Sequence, residues 1–192
     1  MRELSLHILD IAENSISAGA SRVGISVIED IKGDKLTIKI SDNGKGMDPE
    51  TAQRVLDPFV TSRTTRKVGL GLPLLKAAAE GCNGGLTIES QLGVGTTTQV
   101  TFQHSHIDRM PLGEISDTWL TLLLGSPEVN WVFHYQMDDA VFSLDDTELK
   151  KELQGILLTE PSIMPILREL IRDGVESVRL NAKENLCQPL NH

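Results

Sequence analysis

Residues 41–47 constrain this chain more than any other stretch, because a strand pattern runs there into one carboxylate and two glycines. Leu36, Ile38 and Ile40 alternate with polar residues, which is typical of a half-buried β-strand. Asp42 follows at the strand end, where a carboxylate removed from water needs a hydrogen-bond donor. Taken alone, the segment fits an ordinary turn at least as well, since Asp and Gly are common turn residues.

An adenine ring would satisfy the same segment. Its exocyclic amine is a donor for Asp42, and Gly44 and Gly46 would let the backbone approach a flat ring closely. The turn and the adenine pocket therefore stand as alternatives until other parts of the sequence are considered.

The composition limits the class of protein. Of 192 residues, 40% are hydrophobic and 23% are charged, as in a globular protein that buries a core. The formal net charge of −9 argues against a nucleic-acid partner, which requires a basic surface. We find no signal-peptide pattern and no apolar run long enough to span a bilayer. We therefore expect a cytoplasmic protein without a membrane partner.

Residue patterns predict the order of elements in the first half. The predicted helices cover residues 4–20 and 69–80, and the predicted strands cover residues 23–28, 35–40, 86–90 and 97–102. A short helix opens at Asp48-Pro49, and a polar, basic loop covers residues 57–68. This order indicates an α/β (α+β) two-layer sandwich, with a mixed sheet covered by helices on one face.

The second half is predicted to be a C-terminal α/β extension of unassigned role. Its predicted helices cover residues 111–124, 144–153 and 162–178, and an alternating hairpin covers residues 131–137 and 140–144. We divide the chain into residues 1–103 and 104–192. His104, His106 and Asp108, beside that boundary, would make an incomplete metal cluster, which we disfavour because no further ligand is near in the sequence.

Asp10 and Asn14 lie four residues apart on the first predicted helix, and therefore on one face. An asparagine in mid-helix is locally unfavourable, and a functional explanation is that its amide oxygen binds Mg²⁺ held on phosphates. An acid one turn earlier is placed to take a proton from a nucleophile. Considered by itself, the helix favours the simpler explanation of a solvated polar face.

Glycines at the start of a later helix predict an anion site. Gly69 and Gly71 leave N–H groups exposed at a helix N-terminus, where anions bind well. Residues 62–67 add hydroxyls and cations, which is unusual in so acidic a chain. A solvated loop would explain the charges, but it would not explain glycines that lead into a helix.

Five segments in this order resemble the motifs of the GHKL superfamily, the ATPases of the gyrase, heat-shock chaperone, histidine kinase and MutL type with the Bergerat fold. Residues 13–20 resemble its asparagine box, 42–46 and 69–72 its glycine boxes, 57–62 its phenylalanine box, and 90–97 its closing G-x-G-T-T segment. The resemblance covers about residues 4–102 and implies that the chain binds ATP and Mg²⁺.

The resemblance also implies roles for single residues. Asn14 would bind Mg²⁺, Asp42 would accept a hydrogen bond from the adenine amine, and Thr96 would support that contact. The other implied ATP-binding residues line the base pocket, form a lid or hold the phosphates: Gly44, Gly46, Met47, Phe59, Thr61, Ser62, Arg63, Gly69, Leu70, Gly71 and Leu72. Asp10 stands where the family commonly has a glutamate, so it is the predicted catalytic residue, with a shorter reach.

The sequence leaves several functions open. The first is a stand-alone kinase-like protein that phosphorylates or regulates an unknown protein partner, as anti-sigma-factor kinases do. The second is a nucleotide-sensing interaction module without phosphotransfer, in which the extension binds a partner. The third is a slow MutL-like ATPase. Enzymatic activity stays undecided at this point, and a homodimer stays an option.

Overall fold

The computed structural model describes residues 3–56, 71–153 and 155–187, which form six helices and six strands. In chain order they are α1 (Leu4–Ser17), β1 (Arg22–Asp30), β2 (Lys35–Asp42), α2 (Pro49–Arg54), α3 (Gly71–Glu80), β3 (Gly85–Gln91), β4 (Gly95–Gln103), α4 (Ile115–Gly125), β5 (Asn130–Met137), β6 (Ala140–Asp145), α5 (Asp146–Glu152) and α6 (Met164–Cys187). No helix in these ranges is both long and apolar enough to cross a membrane.

All six strands form one mixed sheet in the order β3-β4-β2-β1-β5-β6. The β1–β5 pair is parallel, and the other four pairs are antiparallel. The mixed sheet predicted from the sequence is therefore confirmed, and the hairpin of the second half extends it by two strands.

The hydrophobic core lies on one face of this sheet. Ile25 of β1 stands opposite Ile40 of β2 and Phe133 of β5, and all three side chains are at most 2% exposed. Helices α1, α3, α4 and α6 supply the facing apolar residues, among them Leu4, Ile8 and Leu75. The two-layer α/β arrangement expected from the sequence is confirmed.

Local sequence signals explain where the first two helices end or begin. After α1, Gly19 takes a φ of +77°, a conformation that a residue with a side chain rarely adopts. The carboxylate of Asp48 caps α2 by accepting a hydrogen bond from the Thr51 N–H at 2.9 Å. That hydrogen bond lowers the pKa of Asp48.

Buried polar contacts join the second half of the chain to the first. Tyr135 of β5 is fully buried, and its hydroxyl donates to Oε1 of Glu29 on β1 at 2.7 Å. Burial and the Glu29 charge raise the pKa of Tyr135, so this hydroxyl keeps its proton. One sheet contains strands from both sides of residue 103. The division into two domains near that residue stays a prediction.

A buried carboxylate fixes α5 against β5. Asp146 is 0% exposed and accepts from the Trp131 N–H at 2.8 Å, while Nζ of Lys150 lies 2.7 Å from its other oxygen. Burial raises the pKa of Asp146, although both contacts oppose that shift. The pair is therefore a structural contact, placed by the Asp146–Lys150 spacing of four residues along α5.

We expect His7 to make the stability of this fold depend on pH. His7 of α1 is 5% exposed, and burial lowers its pKa, although the nearby Asp10 opposes the shift. In the unfolded chain His7 takes up a proton near pH 6.5, while the folded chain resists it, so acidification favours unfolding. The free energy of unfolding should fall between about pH 7.5 and 5.5, and fall less in His7→Gln. Urea denaturation at both pH values tests this, and an equal fall in the variant would contradict it.

Candidate functional site

Asp42 ends β2 with its carboxylate held on both oxygens. Oδ2 accepts from the Ser15 hydroxyl of α1 at 2.7 Å, and Oδ1 accepts from the Gly44 N–H at 2.9 Å. The side chain is only half-buried, and a carboxylate has about four acceptor positions, so it can accept a further hydrogen bond. The donors that the sequence predicted for Asp42 are thus partly supplied by the protein, which fixes the orientation of the carboxylate.

The loop after Asp42 is tied to the end of α1 and the start of β1. Oδ1 of Asn43 accepts from the N–H groups of Ser21 and Arg22, both at 2.9 Å. The Lys45 N–H donates to the Ala18 carbonyl at 3.0 Å. These bonds give the loop a defined shape without any ligand.

Thr96 and Met47 meet beside Asp42 through Ser90. Thr96 stands opposite Asp42 in the β2–β4 ladder, and its hydroxyl lies 2.9 Å from the Ser90 hydroxyl. Ser90 also accepts from the Met47 N–H at 2.8 Å. The structure thus brings the predicted residues Asp42, Met47 and Thr96 together, and Ser90 is a connecting residue to which the sequence analysis gave no role.

The glycines of this region are required by the packing of the backbone. Gly46 has a φ of +65°, and a side chain there would collide with the Gln91 carbonyl oxygen. A side chain at Gly95 would collide with the Asp42 carbonyl oxygen, and one at Gly44 would come within 3.0 Å of Ala18. The contact of Gly44 and Gly46 with a ligand ring stays a prediction, since protein packing alone explains these glycines.

Asp10 lies against the beginning of α3. A β-carbon at Gly71, the first residue of α3, would collide with Oδ2 of Asp10 and lie 3.4 Å from its Cγ. Leu72, the next residue, is partly buried and packs on the core. The predicted base and the predicted phosphate-binding helix start are therefore adjacent in space, on α1 and α3.

Asn14 lies one turn after Asp10 on α1 and is exposed. Its amide oxygen is accessible to an incoming ligand. In the described ranges no three His, Cys, Asp or Glu side chains are grouped to hold a metal ion by themselves. His104 instead lies 2.9 Å from Oε2 of Glu29, so the disfavoured cluster with His106 and Asp108 has no structural support.

Six of the predicted ATP-binding residues lie outside the described residues: Phe59, Thr61, Ser62, Arg63, Gly69 and Leu70. Their roles stay predictions. Ser15 and Asn43, which orient Asp42 and its loop, were not assigned roles from the sequence. The signal that could have found Ser15 is its place on the buried side of α1, next to the exposed Asn14.

Comparison with known proteins agrees with this arrangement. Residues 2–106 match the family model of the histidine kinase-, DNA gyrase B- and HSP90-like ATPases. The sensor protein kinase FleS of Pseudomonas aeruginosa is 40% identical over 58 residues, or 30% of this chain. The sensor histidine kinase YvrG of Bacillus subtilis is 29% identical over 94 residues, or 47% of this chain. The chain spans only 14% and 16% of the lengths of these two relatives.

A similarity in fold extends beyond the matched family region. The crystal structure of the N-terminal domain of a DNA repair protein superposes with a TM-score of 0.52 at 16% identity. The similarity covers 76% of this chain and 52% of that one. The family model covers more than half of the 192 residues, and the mixed sheet with helices on one face agrees with it. The chain therefore belongs to the histidine kinase-, DNA gyrase B- and HSP90-like ATPases, the GHKL superfamily with the Bergerat fold.

Proposed function

We propose that this chain binds ATP with Mg²⁺ between α1, the end of β2 and the start of α3, and acts as a kinase or regulator on a protein partner. The observation that carries the proposal is the Asp42 carboxylate, which Ser15 and Gly44 hold at the end of β2 with acceptor capacity to spare. An ionised carboxylate only accepts hydrogen bonds, so it selects a base that presents an amine.

The adenine ring of ATP would be held at the β2 end of the site. Asp42 would accept from the adenine amine, with the Thr96 hydroxyl beside it and Met47 fixed by Ser90. Because the surrounding hydrogen bonds already order these groups, binding would require little rearrangement of this wall of the site.

The phosphates would lie toward α3. The N–H groups at the beginning of a ten-residue helix attract anions, and Gly71 is its first residue. Asn14 would hold Mg²⁺ through its exposed amide oxygen, and the metal would neutralise phosphate charge. Asp10, beside Gly71, is placed to accept a proton from an attacking hydroxyl or water.

The catalytic role of Asp10 predicts a specific loss. Asp10→Asn keeps the shape of the side chain but removes the proton acceptor, so phosphate release or transfer should fall by about 100-fold or more. ATP affinity should change by less than about threefold, because adenine recognition is left intact. Steady-state phosphate release and ATP titration measure the two quantities, and the exposed neighbour Glu13→Gln is the matched control. Phosphate release at the parent rate in Asp10→Asn would contradict the role.

Kinase activity is tested by incubating the chain with γ-labelled ATP and an extract of the native host. Labelling of a discrete protein, lost in the Asp42→Asn variant, is the expected result. An extract in which no protein becomes labelled, although the chain binds ATP, would count against phosphotransfer.

One observation favours the sensing module as a second candidate. Asn43, in the loop after Asp42, accepts hydrogen bonds from the N–H groups of Ser21 and Arg22, and these two residues also contact the extension. The Asn130 N–H donates to the Ser21 carbonyl at 2.9 Å, and Arg22 lies 2.9 Å from Asp145. Through these contacts, further stabilisation of the loop by bound nucleotide would reach β5 and β6.

Hydrogen exchange with and without ATP tests the sensing proposal. We expect slower exchange in the Asp42–Met47 loop and in β5 and β6 when ATP is bound. Asn43→Ala should keep most of the protection at Asp42 but reduce the change in β5 and β6. An effect confined to the loop would exclude coupling to the extension.

A further inference from the structure

A polar cavity of about 240 Å³ lies between the first turn of α4 and one face of α6, and no residue of α1, β2 or α3, which form the proposed ATP site, lines it. Its lining residues are Glu114, Ser116, Asp117, Arg168, Arg172, Val175, Glu176 and Arg179. Three of the nine arginines of this acidic chain therefore line one cavity. Since they are spaced by four and seven residues along α6, they project from the same side of the helix.

Contacts with Tyr135 of β5 fix the Arg179 side chain. Its Nε donates to the Tyr135 hydroxyl at 3.3 Å, and its guanidinium carbon lies 5.9 Å from the centre of the Tyr135 ring. Tyr135 is itself fixed by its bond to Glu29. A guanidinium has five N–H donors, so the four on its terminal nitrogens remain available at the cavity.

Ser116 supplies a hydroxyl that has no hydrogen-bond partner among the described residues. It is 9% exposed and lines the cavity, and its hydroxyl makes no hydrogen bond with any described residue. Glu114, at the cap position of the eleven-residue α4, makes no side-chain bond to the N–H groups of the first turn. The Ser116 hydroxyl and the free N–H groups of the helix start lie at the same place, and both are donors that a ligand with acceptor oxygens can use.

The charged residues that line the cavity determine whether it favours an anion or a cation. Glu114, Asp117 and Glu176 also line the cavity, but all three are exposed, and in the described ranges none forms an ion pair with the cavity arginines. Water screens these carboxylates and the exposed Arg168 and Arg172, whereas Arg179 is half-buried and Ser116 is buried. The inner groups are therefore hydrogen-bond donors, while the acids stand at the rim.

We propose that this cavity binds a phosphate-type oxyanion, which accepts hydrogen bonds from the terminal nitrogens of Arg179, the Ser116 hydroxyl and the first turn of α4. Arginine donors match the oxygens of such an anion in pairs, and the helix N-terminus adds a favourable field. Arg168 and Arg172 close the site from the solvent side. The site is separate from the proposed ATP site, so each can be present without the other.

Isothermal titration of the full chain with inorganic phosphate, at ionic strength held constant with sodium chloride, tests the proposal. We expect saturable binding that weakens by about five- to tenfold in Arg172→Gln and in Ser116→Ala. Both variants should fold, because Arg172 is exposed and Ser116 loses only an unpaired hydroxyl. Lys183→Gln removes one positive charge from an exposed position of the same helix outside the cavity, and should leave the affinity unchanged.

The Glu114→Gln variant tests whether the cavity binds an anion or a cation. Removing a rim carboxylate should strengthen phosphate binding, whereas a site for a cation would bind its ligand less well. O-Phosphoserine, titrated in parallel, distinguishes a free phosphate from a phosphate ester, and the tighter ligand identifies the source. The proposal is overturned if neither ligand binds saturably, or if Arg172→Gln and Lys183→Gln bind phosphate equally.

Discussion

Replacement of Asp42 by Asn is expected to weaken ATP binding by about 100-fold, the largest effect of any conservative change at the site. Asp42 accepts from Ser15 and Gly44 and, in the proposed complex, from the adenine amine. An asparagine has one acceptor oxygen and one NH₂ donor, so at least one of these three donors would face another donor. The affinity for ATP, measured by isothermal titration, is the quantity to compare.

The preference for one nucleobase over another provides a second measurement on the same variant. Inosine triphosphate presents a carbonyl where ATP presents an amine, so the parent chain should bind it more weakly than ATP. In Asp42→Asn this preference should shrink or reverse, because the NH₂ group can donate to the carbonyl. Asp139→Asn, on an exposed side chain of the β5–β6 turn, is the matched control and should behave like the parent. An unchanged preference for ATP over inosine triphosphate in Asp42→Asn would contradict the proposal that Asp42 binds the adenine amine.

Elements with a strong local pattern were predicted well from the sequence. The alternation of Leu36, Ile38 and Ile40 and the Asp48-Pro49 cap indicated β2 and α2, and both are present. The predicted helix over residues 162–178 extends to Cys187, because no glycine or proline ends it where the apolar spacing becomes weaker. Such boundaries depend on packing against distant parts of the chain, to which a local pattern is insensitive.

The sequence named the candidate site residues one by one, and their roles stay predictions, but it did not indicate the contacts that connect them. Asp42 and Thr96 are 54 positions apart, and only the pairing of β2 with β4 makes them neighbours. Ser15 bonds Asp42, Ser90 bonds Thr96, and Asn43 ties the loop after Asp42 to Ser21. Small polar residues of this kind are common in turns and at helix ends. Their roles depend on three-dimensional contacts, so composition and spacing give little indication of them.

The parallel pairing of β1 with β5 was also not predicted, and it has a large consequence for stability. Eight residue pairs join the two strands, which belong to different halves of the chain. A parallel connection joins strands that are far apart in sequence, and no turn signal marks it. Since the second half completes the core, damage there should also remove the proposed ATP site.

Phe133→Ala is therefore expected to destabilise the whole chain by about 3–5 kcal/mol. Phe133 is 0% exposed, and its ring lies 4.7 Å from Trp119 and 6.1 Å from Trp131 between ring centres. Urea denaturation followed by far-ultraviolet circular dichroism measures the loss, and ATP binding at each urea concentration should disappear in the same transition. Val141→Ala, on a side chain that is 53% exposed, should change stability by less than about 0.5 kcal/mol. If ATP binding persists at urea concentrations where the tryptophans of the second half are already exposed, the two halves unfold independently, as separate domains divided near residue 103 would.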